Sequence, residues 1–370
     1  MIKNYPAKYL FFISASFLLL TIASCKKDNK NTQTTVTPTT ATPTKLGLYE
    51  VDTSIYKLLF MPISKIGSQD VDYDLIFDTG SGGLVIDANG ILPASMITTT
   101  GFTFTGDSTV VNGITITSQK STISYGETNN STKVYGNLAY APVTIGDSHG
   151  NIIIKRLPFF IYYKGVDENG NMEPQHFFDL LGVSPEYDVT FSNTAYITSP
   201  FSYFDPGTGL TKGFKMAALG TNNFSNSGTF VPGVVTLGLT QADLNSSGFV
   251  MNALINSFGQ GYIPYIPATV TYGSRTVNTS VLFDTGTEPY SYIQDRTAST
   301  TPTLLPANTN VTIATTSGFN FTYSTSPSEY LTYIENPGAS SNVSIIGLEF
   351  FLKNEYLLDY TNNRIGVKNN

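Results

Sequence analysis

The sequence predicts an all-β protein built as two similar halves around a cleft. Three observations carry that expectation. Only 13% of residues are charged, while Gly, Ser, Thr, Asn, Tyr and Phe are plentiful, a mix that favours strands and turns. No extended stretch is rich in Ala, Leu, Glu and Lys together, so long helices are not expected. One short phrase occurs twice: Leu75-Ile76-Phe77-Asp78-Thr79-Gly80-Ser81 and Val281-Leu282-Phe283-Asp284-Thr285-Gly286-Thr287. Each half later carries an apolar pair followed by Gly, at Leu180-Leu181-Gly182 and Ile345-Ile346-Gly347.

The chain opens with the pattern of an export signal over residues 1–24. Lys3 and Lys8 give a positive start, and Leu10 to Ile22 gives an apolar middle too short for a membrane span. Ile22-Ala23-Ser24-Cys25 resembles a bacterial lipoprotein cleavage site, in which Cys25 would become the lipidated first residue. The implied location is a bacterial cell envelope, with the protein anchored to the outer membrane and facing periplasm or exterior. Cys25 is the only Cys, so once modified it leaves no disulfide, and stability must come from the core. Residues 25–45 are Thr, Pro, Asn and Lys with almost nothing apolar, and read as a tether. Beyond Lys45 the chain has 14 basic and 26 acidic residues, a balance of −12 that argues against nucleic acid as a partner.

From Leu46 the pattern is strand, turn, strand. Strand-like runs are Tyr49 to Ile63, Tyr73 to Phe77, Leu84 to Ile86 and several within Gly101 to Ile123, where Gly106-Asp107 and Asn112-Gly113 mark turns. Val134 to Ile145, Ile152 to Tyr163, Gly213 to Leu219, Val234 to Leu239, Ala268 to Tyr272 and Val281 to Phe283 continue the series. Ile345-Ile346 and Tyr356 to Val367 close it. Short helices are expected around Gln175 to Leu181, Gln241 to Leu244 and Leu348 to Lys353. The halves divide as residues 46–220 and 221–370.

The repeated phrase carries the chemistry. An apolar run ending at Asp is a strand entering a core, and a carboxylate there is costly unless hydrogen-bonded or paired. Two such carboxylates brought face to face would share one proton, because like charges at close range cannot both ionise cheaply. The aspartic protease pair is the standard example of this effect. Two His in the whole chain, His149 and His176, leave little room for His-based catalysis or a His-rich metal site.

With these phrases in order, residues 46–370 resemble the pepsin-like aspartic peptidases. Asp78-Thr79-Gly80-Ser81 and Asp284-Thr285-Gly286-Thr287 match that family's two catalytic loops. Ile123-Ser124-Tyr125-Gly126 resembles its flap, with Tyr125 and Gly126 facing substrate, and Val134 to Leu138 its return strand. Leu180 to Gly182 and Ile345 to Gly347 resemble the strands crossing each loop, and Ile346 through Val367 the closing segment. The resemblance implies a bilobal pepsin-like fold, two pseudo-twofold-related lobes with a cleft between them. It implies an endopeptidase in which Asp78 and Asp284 activate a water, in an acidic range, on unstructured peptide. Thr79 and Thr285 would tie the loops together by crossed hydrogen bonds. Gly80 and Gly286 would allow tight turns with N–H groups near the carboxylates, and Ser81 and Thr287 would donate to their outer oxygens. No metal or other cofactor is implied, and the expected state is a monomer.

Several features depart from the family pattern. The family often pairs the flap Tyr with a Trp. This chain has no Trp, and Val85 stands at that place. Glu288-Pro289 follows Thr287, adding a third carboxylate near the cleft. These departures suit an alternative, a catalytically inactive pepsin-like module that binds a peptide or glycan at the envelope. A structural surface protein is a third reading, but it gives no reason for two matched Asp-Thr-Gly phrases. Gly146-Asp147-Ser148-His149-Gly150 has the spacing of a serine nucleophile elbow, yet Ile152-Ile153-Ile154 follows, so a hairpin turn is expected. Asp70, Asp72 and Asp74 alternate along a strand and lack the Gly and distal Glu of a calcium loop.

Overall fold

A computed structural model describes residues 40–370 except 54–55, 127–130, 221–222, 288–289, 329–330 and 339–341. The export signal, Cys25 and most of the tether lie outside the described residues, as do Glu288 and Pro289. The last residues of the tether are structured, because β1 (Thr44–Asp52) begins at Thr44. Among the described residues no helix is long and apolar enough to cross a membrane.

The first half delivers β2 (Lys57–Ile66), β3 (Gln69–Asp78), β4 (Gly82–Asp87), β5 (Ile114–Tyr125), β6 (Thr132–Asp147), β7 (Gly150–Val166) and β8 (Leu180–Val183). Next come β9 (Thr211–Met216) and β10 (Thr229–Leu239), then β11 (Ile266–Tyr272), β12 (Arg275–Phe283), β13 (Tyr290–Gln294), β14 (Val343–Ile346), β15 (Asn354–Asp359) and β16 (Arg364–Asn369). The expected turn at Asn112-Gly113 forms, with both residues at positive φ, 53° and 73°. That geometry is the tight hairpin turn an Asn-Gly pair favours. Ser148-His149 turns β6 into β7, so the Gly146–Gly150 stretch is a hairpin and no nucleophile elbow.

Two short helices occur where the sequence suggests them, α1 (Gln241–Asn245) and α2 (Leu348–Phe351). Thr240 and Asp243 cap α1 reciprocally. The third expected helix, around Gln175 to Leu181, does not form. Asp179 is committed elsewhere, accepting from the Asp87 N–H at 2.8 Å and the Tyr162 hydroxyl at 3.0 Å and meeting His176 Nδ1 at 2.7 Å. Leu180 and Leu181 then pair with β3 on one side and β4 on the other. Tertiary pairing overrides local helix preference here.

The strands fall mainly into two sheets. One has fourteen strands and contains β1 to β10, with β15 and β16 from the end of the chain. The other has eight and contains β11 to β14, flanked by strands at 303–304, 331–335, 310–315 and 320–324. Gly220, the boundary read from sequence, lies between β9 and β10, which pair with each other in the larger sheet.

Each half repeats one local arrangement. β3 runs parallel to β8, matching Leu181 with Phe77 and Gly182 with Asp78, while β8 also pairs antiparallel with β4. Likewise β12 runs parallel to β14, matching Phe283 with Ile346, and β14 pairs antiparallel with β13. The residue before each Asp anchors its own core. Phe77 is fully buried against Phe201 and Phe214, and Phe283 stacks on Phe350 at 3.8 Å between centroids. Burying each ring is worth about 2–3 kcal/mol, enough to pin the strand end that carries the carboxyl.

Candidate active site

The two Asp-Thr-Gly loops meet through a reciprocal clamp. The Thr79 N–H donates to Thr285 Oγ1 at 3.1 Å, and the Thr285 N–H donates to Thr79 Oγ1 at 3.1 Å. Each hydroxyl then donates to the carbonyl that precedes the opposite Asp: Thr79 Oγ1 to Phe283 O at 2.9 Å, and Thr285 Oγ1 to Phe77 O at 2.6 Å. Both threonines are completely buried, so each bond is made where an unmade one would cost its full desolvation.

The clamp sets Asp78 against Asp284. The two carboxyl groups lie within hydrogen-bonding reach of each other, each pressed against the glycine of the opposite loop. Asp78 accepts from the Gly80 N–H at 2.7 Å, the Ser81 N–H at 3.2 Å and Ser81 Oγ at 2.6 Å. Asp284 accepts from the Gly286 N–H at 2.8 Å. Thr287 does not mirror Ser81: among the described residues no hydrogen bond runs from its hydroxyl to Asp284, and its carbonyl accepts from the Tyr290 N–H at 3.1 Å. The second carboxyl is therefore held by fewer donors than the sequence repeat suggests.

Asp284 has an accessible edge but is otherwise closely enclosed. Burial, then the charge of Asp78 and the bond to it, raise its pKa well above the usual carboxylate range, against the lowering pull of the Gly286 and Gly80 N–H groups. The pair titrates as a unit and holds its last proton above the usual carboxylate range.

Each Gly is required by the carboxyl opposite. A Cβ on Gly80 would lie 2.4 Å from Cγ of Asp284, and one on Gly286 would lie 2.7 Å from Cγ of Asp78. Gly80→Ala must therefore displace Asp284. A shift near 1 Å at a reacting group costs about 100-fold in rate, so peptide hydrolysis by Gly80→Ala is expected to fall by about that factor. Comparing its initial rates with those of the parent checks this, with circular dichroism confirming that it is folded.

Tyr125 ends β5 and pairs with Thr132 at the start of β6, Gly126 follows it, and residues 127–130 of the expected flap lie outside the described residues. The Tyr125 ring stacks on Phe178 at 5.9 Å. Its hydroxyl is buried with no hydrogen-bond partner among the described residues. Burial first, then the charges of Asp188 and Asp78, raise its pKa. Val85 belongs to the apolar cluster against which Tyr125 packs and has no donor to offer. Tyr125→Phe is therefore expected to keep the parent's thermal stability or gain up to about 1 kcal/mol, because it deletes an unsatisfied hydroxyl. Thermal unfolding checks this, and a clear loss would show that the hydroxyl is satisfied in solution.

Two carboxyls near the pair were not singled out from the sequence. Glu186 and Asp188 follow β8 on a segment laid against the first catalytic loop, where the Ser184 N–H donates to Ser81 O at 2.8 Å. Burial and the charge of Asp78 push Glu186 up to about 7. Burial leads the causes that raise Asp188 well above its usual range, with Glu186 and Asp78 adding to it and the Gly82 N–H opposing. Tyr265, from the second half, is raised to about 12 by burial and then by Glu186, Asp188 and Asp284. A Ser-Pro-Glu-Tyr-Asp run after an apolar strand carries no motif, so only its position reveals it.

No family model matches the chain, and no curated protein matches it by sequence. Solved structures do match in shape. The aspartic proteinase from Irpex lacteus aligns over 89% of this chain and 97% of its own, with a TM-score of 0.56 and 18% identity. The Basic 7S globulin from soybean aligns over 89% of this chain and 95% of its own, with a TM-score of 0.53 and 10% identity. The chain therefore has the pepsin-like bilobal all-β fold, two lobes related by a pseudo-twofold with a cleft between them.

Proposed function

We propose that the protein is an aspartic-type endopeptidase in which Asp78 and Asp284 activate a water against a peptide bond. The observation that carries this is the pair of facing carboxyls held by a reciprocal threonine clamp. In the singly protonated pair, the ionised carboxylate takes a proton from the attacking water while the protonated one donates to the carbonyl oxygen. The product of attack is a neutral tetrahedral diol, which collapses as the amine leaves with a proton. An extended peptide would lie under the β5–β6 hairpin.

The pH range follows from the sign of the Asp284 shift. The reactive form is lost when the pair gives up its last proton, and that step is moved upwards from the usual carboxylate range. Activity should then persist toward neutral pH, further than the strictly acidic range expected from the loop hydroxyls alone.

Cleavage of a mixed peptide library by the full chain from pH 3 to pH 8 tests the reading. Hydrolysis with an upper limb above the usual carboxylate range is the expected result. A folded protein that cleaves nothing at any pH would overturn it. The second reading, a module that binds peptide without cutting it, is favoured by one observation: the same fold aligns with a protein whose name is that of a globulin.

A further inference from the structure

We propose that Glu186 and Asp188 form a subsite of the cleft that selects a basic side chain, Lys or Arg, in a bound peptide. This rests on the peptide-binding reading above and deepens it.

The segment is fixed from both sides. Behind it, a Cβ on Gly82 would meet Glu186 O at 2.3 Å, so the first catalytic loop and this segment are in backbone contact. On the other side, Glu186 bridges Gly261, and the Tyr187 N–H donates to Gln260 O at 2.8 Å. Glu186 and Asp188 thus sit where the two halves meet, beside Asp78, and both are partly accessible.

Three other enclosed carboxylates each meet a cation, although among the described residues buried Glu50, Asp87 and Glu349 do not. Asp243 meets Lys215 at 2.5 Å, Asp295 meets Arg275 at 2.6 Å and Asp359 meets Arg364 at 2.9 Å. Among the described residues no Lys, Arg or His pairs with Glu186 or Asp188. Among the described residues the titratable groups that interact with them are acidic or phenolic: Asp78, Tyr125 and Tyr265.

Orphan hydroxyls border the same place. Thr198 is only 8% exposed, and its Oγ1 has no partner. It stands opposite Asp188, one step beyond the paired Val189 and Ile197. The enclosed Tyr125 hydroxyl also lacks a partner and lies near enough to Asp188 for that charge to be felt. Two carboxyls without a cationic partner and two hydroxyls without a hydrogen-bond partner, among the described residues, are acceptors for a cation that brings several N–H donors. An ammonium or guanidinium is that group. A bound cation also favours the ionised carboxyls, so selection should strengthen as pH rises through about 7 and fade in acid.

The test uses peptide pairs that differ only in Lys against norleucine, placed in turn at each position flanking the cleaved bond. Cleavage by the full chain is followed at pH 4 and pH 7, with calorimetric binding of the same pairs alongside. At one position the Lys peptide is expected to be preferred by about tenfold at pH 7. The ratio should approach one at pH 4 and in Glu186→Gln, whereas Glu186→Asp should retain most of it. A ratio unchanged in Glu186→Gln, or no Lys preference at any position, overturns the subsite. If nothing is cleaved, calorimetry decides alone: a Lys preference lost in Glu186→Gln upholds the subsite while the peptidase reading falls.

Discussion

Asp78→Asn and Asp284→Asn proteins are each expected to lose peptide hydrolysis by on the order of 10³- to 10⁴-fold, the usual contribution of a positioned general acid or base. An amide can neither take the proton of water nor share the proton that the pair holds between its two carboxyls. The losses should be similar for the two variants, since the carboxyls act on one water as a unit. Stability should move the other way. Burial and the charge of Asp78 oppose ionisation of Asp284, so Asp284→Asn should unfold at pH 7 no more easily than the parent. Initial rates and melting temperatures on the same preparations separate the two effects. An Asn variant that keeps the parent's rate would rule out the paired mechanism.

Glu50→Gln is expected to remove about 3 kcal/mol from the difference in stability between pH 4 and pH 8. Glu50 lies in β1 with no accessible surface, and neither of its carboxyl oxygens has a hydrogen-bond partner. Burial raises its pKa from 4.5 to about 7. Below pH 4.5 the group is protonated in both folded and unfolded chains and costs nothing. Between 4.5 and about 7 the unfolded chain gives up its proton first, so stability falls with pH, and above 7 the loss is complete. Glu349, a buried residue of α2, is also raised to about 7 by burial and acts in the same direction. Asp295, lowered to about 2 by donors from Thr297 and Tyr272 and the Arg275 charge, acts the opposite way and matters only in strong acid. Urea unfolding at pH 4, 6 and 8 measures the effect. Equal pH slopes in parent and variant would show that Glu50 has a partner in solution.

The sequence made legible whatever depends on local chemistry. Two apolar runs ending in Asp, a hydroxyl residue and Gly announced the carboxyl pair, because few other uses justify an Asp at the buried end of a strand. Asn112-Gly113 announced its hairpin through the backbone freedom of those residues. The strands at 290–294, 310–315, 320–324 and 331–335 were missed: each alternates apolar and polar residues but is only five or six residues long and lies among Thr-, Ser- and Asn-rich turns. The helix expected near Gln175 failed because Asp179 and Leu180 are claimed by partners distant in sequence.

Sequence by itself determined the two loops, many of the strands and the pairing of like chemistry between the halves. Only the tertiary structure decided that burial and Asp78 raise the pKa of Asp284, that Thr287 does not repeat the bond of Ser81, that Tyr125 has an orphan hydroxyl among the described residues and that Glu186 and Asp188 border the pair. Those properties belong to burial and to the field of charges from distant parts of the chain, and neither is written in the order of neighbouring residues.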